Sequence, residues 1–123
     1  MAAITFIHAR LSVTVLLFML AVGLWALWSY FRGEGVTGSL WGALVLGEVL
    51  VIVESLLGVG LFVAGSRPIR PAIHILYGVV LVLSLPAAFS YTRGRPGRAE
   101  ALIYAMVALF LAGVSIRARI TGG

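Results

Sequence analysis

The chain has 123 residues, of which 62% are hydrophobic, and its mean hydropathy is +1.14. Because soluble domains are about 45–50% apolar, this composition excludes a soluble globular domain and predicts an integral membrane protein. The net charge of +5 comes from arginine alone, and in so short-looped a chain we expect these side chains at lipid headgroups or acidic partners, not on a nucleic-acid surface.

Four apolar segments are each long enough to cross a hydrocarbon core about 30 Å thick. They predict helices over residues 3–31, 38–64, 71–91 and 98–117. The breaks between them are short and rich in Gly, Pro and Arg, and such turns make neighbouring helices antiparallel. The predicted fold class is therefore all-α, with residues 1–123 forming one transmembrane domain, an up-down-up-down four-helix bundle. The first segment is interpreted as a retained helix, since no basic region precedes it.

The first and third helices contain similar short sequences. Ile7-His8 recurs as Ile73-His74, and residues 29–33 (SYFRG) recur as 90–94 (SYTRG). The two matches have different offsets because the first helix is longer. A true repeat would relate two helical hairpins by a pseudo-two-fold axis along the membrane normal. The alternative is chance resemblance between apolar helices.

The chain contains two histidines, one near the start of the first helix and one near the start of the third. These helices run parallel in the predicted bundle, so His8 and His74 are expected at similar depth near one membrane face. Histidines within membrane helices usually face the bundle interior, and two imidazoles on diagonal helices are suitable axial ligands for a haem. The alternatives are another tetrapyrrole, another metal, or buried structural histidines. The second nitrogen of each ring would need a partner, either the main chain or Thr5.

Residues near the histidines favour the haem interpretation. Ser12 and Gly78 each follow a histidine by four residues on the same helical face, and their small side chains would leave clearance for a flat macrocycle. Arg10 and Arg70 are candidates to bind the haem carboxylates, as is Arg67. The alternative role of the arginines is to extend towards lipid headgroups. Cysteine is absent, which excludes a covalently attached c-type haem, so any haem would be held non-covalently.

Residues 6–10 (FIHAR), followed by a Leu-rich helix that ends in residues 24–28 (LWALW), resemble the haem-ligand helix of the heme A synthase family. In that family an Ile-His-Arg run opens a similar helix, and each half of the protein is a four-helix bundle with ligand histidines on its first and third helices. The chain resembles one such half. An Ala separates His8 from Arg10, and Thr5 replaces the family's Glu three residues before the histidine.

Because of these two departures from the family pattern, we do not expect the chain to synthesise haem A. The resemblance instead implies a b-type haem-binding bundle, similar in scale to the cytochrome b561 group but with ligands for one haem. Because few residues lie outside the predicted membrane spans, the sequence favours an electron-transfer subunit over an independent enzyme.

The second helix carries two acidic residues, Glu48 and Glu54. Six residues apart, they lie about 120° apart around the helix and do not form a carboxylate pair. Each is a candidate proton or quinone site, since a carboxylate can accept a proton from quinol as the haem accepts the electron. The alternative is an acid bonded to Tyr77, to Tyr104 or to a neighbouring subunit.

Two further patterns concern packing and orientation. The fourth helix has small residues at three- and four-residue spacing, which favours close packing within the bundle or with another chain; they are Ala101, Ala105, Ala108, Ala112 and Ser115. Aromatic residues near the face opposite the histidines predict an interfacial belt; they are Trp25, Trp28, Tyr30, Trp41 and Tyr91. Arginines are nearly balanced between the two faces. Discounting Arg10 and Arg70 as haem partners puts the termini on the outer side.

The sequence therefore predicts a b-type cytochrome subunit in a prokaryotic-type inner (cytoplasmic) membrane. It would transfer electrons, with quinol as a candidate donor, within a respiratory or photosynthetic complex. Expected partners are the lipid bilayer and other membrane subunits in a homo- or hetero-oligomer. One alternative is a small proton-coupled transporter that uses Glu54 and resembles the small multidrug resistance family, whose essential acid lies on the first helix. The other is a cofactor-free scaffold subunit in which Glu54 pairs with a partner's base.

Overall fold

The computed structural model describes residues 2–65, 68 and 70–122, and these form four helices without a strand. The helices are α1 (Ala2–Phe31), α2 (Gly38–Val63), α3 (Pro71–Thr92) and α4 (Arg98–Gly122). Each is long and apolar enough to cross a membrane, which confirms the predicted all-α, multi-pass bundle. The helix bounds differ from the predicted ones by at most one residue, except at the end of α4. That helix continues past residue 117 because arginine ends the apolar run but is itself a good helix former.

The four helices form a ring in chain order. α1 packs against α2 and α4, and α3 packs against the same two helices. Within the described residues, no Cα atom of α1 comes within 8 Å of α3, so these two helices are diagonal. Packing is most extensive between α1 and α4 and least extensive between α2 and α3. The packing therefore departs from the two-fold symmetry that the sequence repeat suggests.

Small residues let α4 pack closely against its neighbours. The predicted stripe on α4 is buried inside the bundle, where Ala101, Ala105 and Ala108 are fully covered. On α1, Gly23 lies directly against Leu109 of α4. A Cβ atom on Gly23 would stand 2.7 Å from Cδ2 and 3.1 Å from the backbone nitrogen of that leucine. The close α1–α4 approach therefore depends on this glycine.

The repeated SYxRG segments end their helices in a similar way. Gly33 follows α1 with a φ of 76°, and Gly94 follows α3 with a φ of 69°. Both values lie in the left-handed region that glycine adopts without strain and that commonly terminates helices. The two loops meet on this side of the bundle, where the backbone N–H of Val36 donates to the carbonyl of Pro96 at 2.9 Å.

An aromatic cluster fills the core near these loops. Trp41 packs edge-on against Tyr104, with ring centroids 5.2 Å apart, and against Phe89 at 5.6 Å. The hydroxyls of Tyr104 and Thr92 form a buried hydrogen bond of 3.0 Å. Trp41 is thus partly buried and packs against the core, whereas Trp28 is 61% exposed, as a belt residue should be.

Candidate functional site

His8 on α1 is paired with Glu54 on α2. Its Nδ1 atom contacts Oε1 of the glutamate, and the two side chains are 24% and 12% exposed. The second carboxylate oxygen, Oε2, is buried and has no hydrogen-bond partner among the described residues. An imidazole and a carboxylate thus lie together inside the membrane-spanning part of one hairpin. Such residues are uncommon at this depth and usually mark ion, proton or cofactor sites.

Gly58 provides the space that the His8 ring occupies. It follows Glu54 by one helical turn on the same face of α2. A Cβ atom on Gly58 would stand 3.1 Å from Cε1 and 3.7 Å from Nε2 of the ring. These distances are at or below ordinary van der Waals contact. The imidazole is therefore held between a carboxylate and a bare stretch of helix backbone.

His74 on α3 has a different partner, on α4. Its Nδ1 atom lies 2.9 Å from the carbonyl oxygen of Ala118. A carbonyl only accepts hydrogen bonds, so Nδ1 carries the proton and donates it.

The two histidines have equivalent positions in their hairpins. Each lies near the start of the first helix of a hairpin, and each contacts the second helix of that hairpin through Nδ1. Histidines that bind metals usually have one ring nitrogen held in this way, by a carboxylate or a carbonyl, which fixes the ring orientation. The main chain was one expected partner, and it fills that role for His74. For His8 the partner of Nδ1 is Glu54, an acidic side chain of the neighbouring helix.

The two small residues near the histidines differ in their surroundings. The Ser12 hydroxyl donates to the carbonyl of Ala9 at 2.6 Å, so it is satisfied on its own helix. A Cβ atom on Gly78 would meet nothing within 4 Å. Gly78 is therefore open at its Cβ position, and its role beside a macrocycle stays a prediction.

Two of the arginines proposed to bind haem carboxylates, Arg10 and Arg70, lie near the same end of the bundle as the histidines. Arg10 is exposed, and its guanidinium lies 5.4 Å from the centre of the Phe6 ring. Arg70 is exposed and caps α3, where its carbonyl accepts the backbone N–H of His74 at 2.9 Å. Arg67 lies outside the described residues.

Glu48 is separate from the histidine–glutamate pair. It is half-buried on α2, and its Oε1 atom has no hydrogen-bond partner in the part of the chain that the structure describes. Tyr104 was one expected partner for an acid, but its hydroxyl is bonded to Thr92. Glu54 is thus the acid that the fold brings to a histidine.

The number of metal-binding side chains that lie together limits the class of metal centre that the described residues can form. Among residues 2–65, 68 and 70–122, no three His, Cys, Asp or Glu side chains cluster as a metal site. A bare zinc ion usually needs three or four protein ligands. A haem brings four nitrogen ligands of its own, and two axial imidazoles complete its coordination. Within the described residues, the two histidines are thus fewer than the ligands of a bare zinc site, and a haem between them is a matter for the proposal below.

Comparison of the chain with protein-family models, with curated proteins and with solved structures gives no match. The resemblance to the heme A synthase family therefore stays a prediction from the short motif around His8.

Proposed function

We propose that the chain is a b-type cytochrome subunit that binds one non-covalent haem b between His8 and His74. The observation that carries the proposal is the way both rings are held: Nδ1 of each imidazole is bound by the second helix of its hairpin. This leaves Nε2 as the nitrogen through which either ring would bind iron. Partners of this kind fix the ring orientation and raise the basicity of a ligand histidine.

The spacing of the helices supports the proposal. Directly packed helices lie about 8–10 Å apart, whereas α1 and α3 are diagonal and do not pack against each other. The open space beside Gly78 adds clearance one turn after His74. When bound between two imidazoles, a haem supplies a six-coordinate iron suited to one-electron transfer. Glu54 would stabilise positive charge on the His8 side.

The setting of the subunit is also part of the proposal. Arg10 and Arg70 would bind the haem carboxylates near the face that bears the termini, which we place on the outer side of a prokaryotic inner membrane. Quinol is a candidate electron donor, with Glu48 or Glu54 as the proton acceptor. Other membrane subunits of a respiratory or photosynthetic complex would accept the electrons, because this chain has little surface outside the membrane.

An absorbance spectrum of the protein purified after expression with added haem precursor tests the proposal. We expect a reduced spectrum with the α-band of a b-type haem. His8→Ala and His74→Ala should each abolish the six-coordinate spectrum. Glu54→Gln should weaken haem retention about 10–100-fold, as other losses of second-shell partners do, while Glu48→Gln serves as the matched control. A folded, colourless protein, or a spectrum unchanged in both histidine variants, would contradict the proposal.

A second candidate function is proton-coupled transport centred on Glu54. It is favoured by the His8–Glu54 pair inside the membrane and by the buried Oε2 atom without a hydrogen-bond partner in the described structure. Proton uptake into liposomes separates the two functions. A transporter should lose uptake in Glu54→Gln and keep it in His74→Ala, because the His74 ring is bonded to Ala118 on the other hairpin. The cytochrome predicts no such uptake and a haem spectrum that depends on His74.

A further inference from the structure

The packed core of the bundle lies towards one end. At the loop end, which carries the α1–α2 and α3–α4 loops, burial continues almost to the last helical residue: Ser29 of α1 and Thr92 of α3 are both buried. At the opposite end, the histidine end, the first buried residue is Val15 on α1 and Leu81 on α3. The described residues that precede these two on their helices are exposed or half-buried.

The other two helices show the same asymmetry. On α4 the last buried residue is Ser115, and none of residues 116–120 is buried. On α2 only Leu61 is buried after Val51. The inner faces of the four helices are therefore incompletely covered at the histidine end. We call the space between residues 2–14, 52–60, 71–80 and 116–120 the vestibule.

Polar side chains of the vestibule lead to the His8–Glu54 pair. Ser12 lies one turn from His8 on the same face of α1, and both are half-buried. The imidazole is the more exposed member of the pair, whereas both carboxylate oxygens are buried. A solute that enters from the histidine end therefore reaches the imidazole before the carboxylate.

Buried oxygen atoms beside the vestibule lack hydrogen-bond partners among the described residues. They include Oε2 of Glu54 and Oγ of Ser115, and Ser115 is only 4% exposed. Buried polar groups that have no protein partner are usually bonded to ordered water. At the loop end, by contrast, the buried hydroxyls of Thr92 and Tyr104 bond to each other. The groups that need water thus lie beside the vestibule.

The loop end closes the bundle on the opposite face. The Trp41 ring packs edge-on against Tyr104 and Phe89. The loop residue Val36 is buried, and its backbone N–H is bonded to the carbonyl of Pro96. These contacts leave the histidine end as the open side of the described structure.

We propose that the vestibule is filled with water and connects the His8–Glu54 pair to one aqueous phase only, on the side of the chain termini. Arg10 and Arg70 are exposed at the same end, and charged side chains there extend towards water. The proposal assumes neither candidate function. It adds that protons and small polar solutes reach the pair from a single face of the membrane.

Cysteine labelling tests the proposal, because the chain has no cysteine of its own. Single-cysteine variants are placed in lipid nanodiscs, which leave both faces accessible, and treated with a positively charged, membrane-impermeant methanethiosulfonate. Intact-protein mass spectrometry measures the labelled fraction over time. The reagent attacks the thiolate, and apolar surroundings suppress thiolate formation. The labelling rate therefore reports water at each position.

Ser12→Cys probes the vestibule, and Val53→Cys is its matched control. Counting along α1 and α2 from the contact between His8 and Gly58 places Val53 within about 2 Å of the depth of Ser12. Val53 is 43% exposed, but it lies about 160° around α2 from the buried Val51 and therefore faces lipid. We expect Ser12→Cys to react at least about tenfold faster than Val53→Cys, although Val53 is the more exposed residue.

Two further variants test the sides of the bundle. Ser29→Cys should stay unlabelled, although Ser29 lies closer to its end of α1 than Ser12 does to the other. Ala118→Cys is a second probe on α4, which keeps its carbonyl bond to His74 and should react like Ser12→Cys. Circular dichroism verifies that each variant is folded, and labelling after unfolding shows that each thiol is competent.

The outcomes separate water from other contents of the vestibule. If Ser12→Cys and Ala118→Cys react no faster than Val53→Cys, the proposal is wrong. Reaction of these two variants with a lipid-soluble maleimide alone would show that lipid fills the space. Labelling of Ser29→Cys as fast as Ser12→Cys would overturn the access from one face.

Discussion

Gly58→Ala tests whether the His8 ring is held against the backbone of α2. The added methyl group would stand 3.1 Å from Cε1 and 3.7 Å from Nε2 of His8. Favourable carbon contacts lie at about 3.5–4.0 Å, so the ring must move by a few tenths of an ångström. That movement draws Nδ1 away from Glu54. We expect Gly58→Ala to destabilise the protein.

The size of the effect follows from comparison with Gly60→Ala, where a Cβ atom meets nothing within 4 Å. Both substitutions gain about 0.8–1.0 kcal/mol of helix propensity, and this gain cancels in the comparison. Overpacking at a close contact costs about 1–3 kcal/mol. Gly58→Ala should therefore be about 1–3 kcal/mol less stable than Gly60→Ala.

Unfolding in mixed detergent micelles, followed by circular dichroism, measures this difference. The same pair of substitutions in a Glu54→Gln background tests whether the strain acts through the ion pair, because coupled residues give non-additive effects. In the Glu54→Gln background, the difference in stability between Gly58→Ala and Gly60→Ala should be smaller. Equal stability of Gly58→Ala and Gly60→Ala would refute the described contact between His8 and α2.

Two further predictions concern packing in the bundle, and both are measured by the same unfolding assay. Gly23→Ala should be about 1–3 kcal/mol less stable than Gly42→Ala, because its Cβ atom would lie 2.7 Å from Leu109, whereas a Cβ atom on Gly42 meets no neighbour within 4 Å. Tyr104→Phe should cost about 1 kcal/mol for its hydrogen bond to Thr92, while Tyr91→Phe, 74% exposed, should change stability by less than about 0.5 kcal/mol. Similar values for a variant and its control would contradict either prediction.

The fold was predictable from the sequence because membrane spans leave a strong pattern. Four long apolar runs separated by short Gly- and Pro-rich breaks permit few arrangements other than an antiparallel bundle. The end of α4 was misjudged because Arg117 and Arg119 end the apolar run without ending the helix. Trp41 was assigned to the lipid interface, but its position near a helix start did not reveal that its ring packs against Tyr104.

The His8–Glu54 pair could not be predicted by counting residues. Measured along the helices from the loop between α1 and α2, His8 lies about 34 Å from Phe31, and Glu54 lies about 24 Å from Gly38. This mismatch of about 10 Å argues against contact if the two helix ends are level. The loop instead folds back into the bundle, where Val36 is only 6% exposed. The sequence offered one indication of this contact. Gly58, four residues after Glu54, leaves room for the His8 ring on that face of α2.

The two hairpins share a scaffold but differ in charge, and this difference decides which experiments are informative. Each places a histidine against its second helix through Nδ1, but one ring meets the Glu54 carboxylate and the other meets the neutral Ala118 carbonyl. A cytochrome needs both rings as ligands, so loss of either histidine removes the six-coordinate haem. A proton carrier needs only the charged pair, so it tolerates loss of His74. Substitutions at His74 therefore discriminate between the two candidate functions, whereas substitutions at His8 and Glu54 impair both.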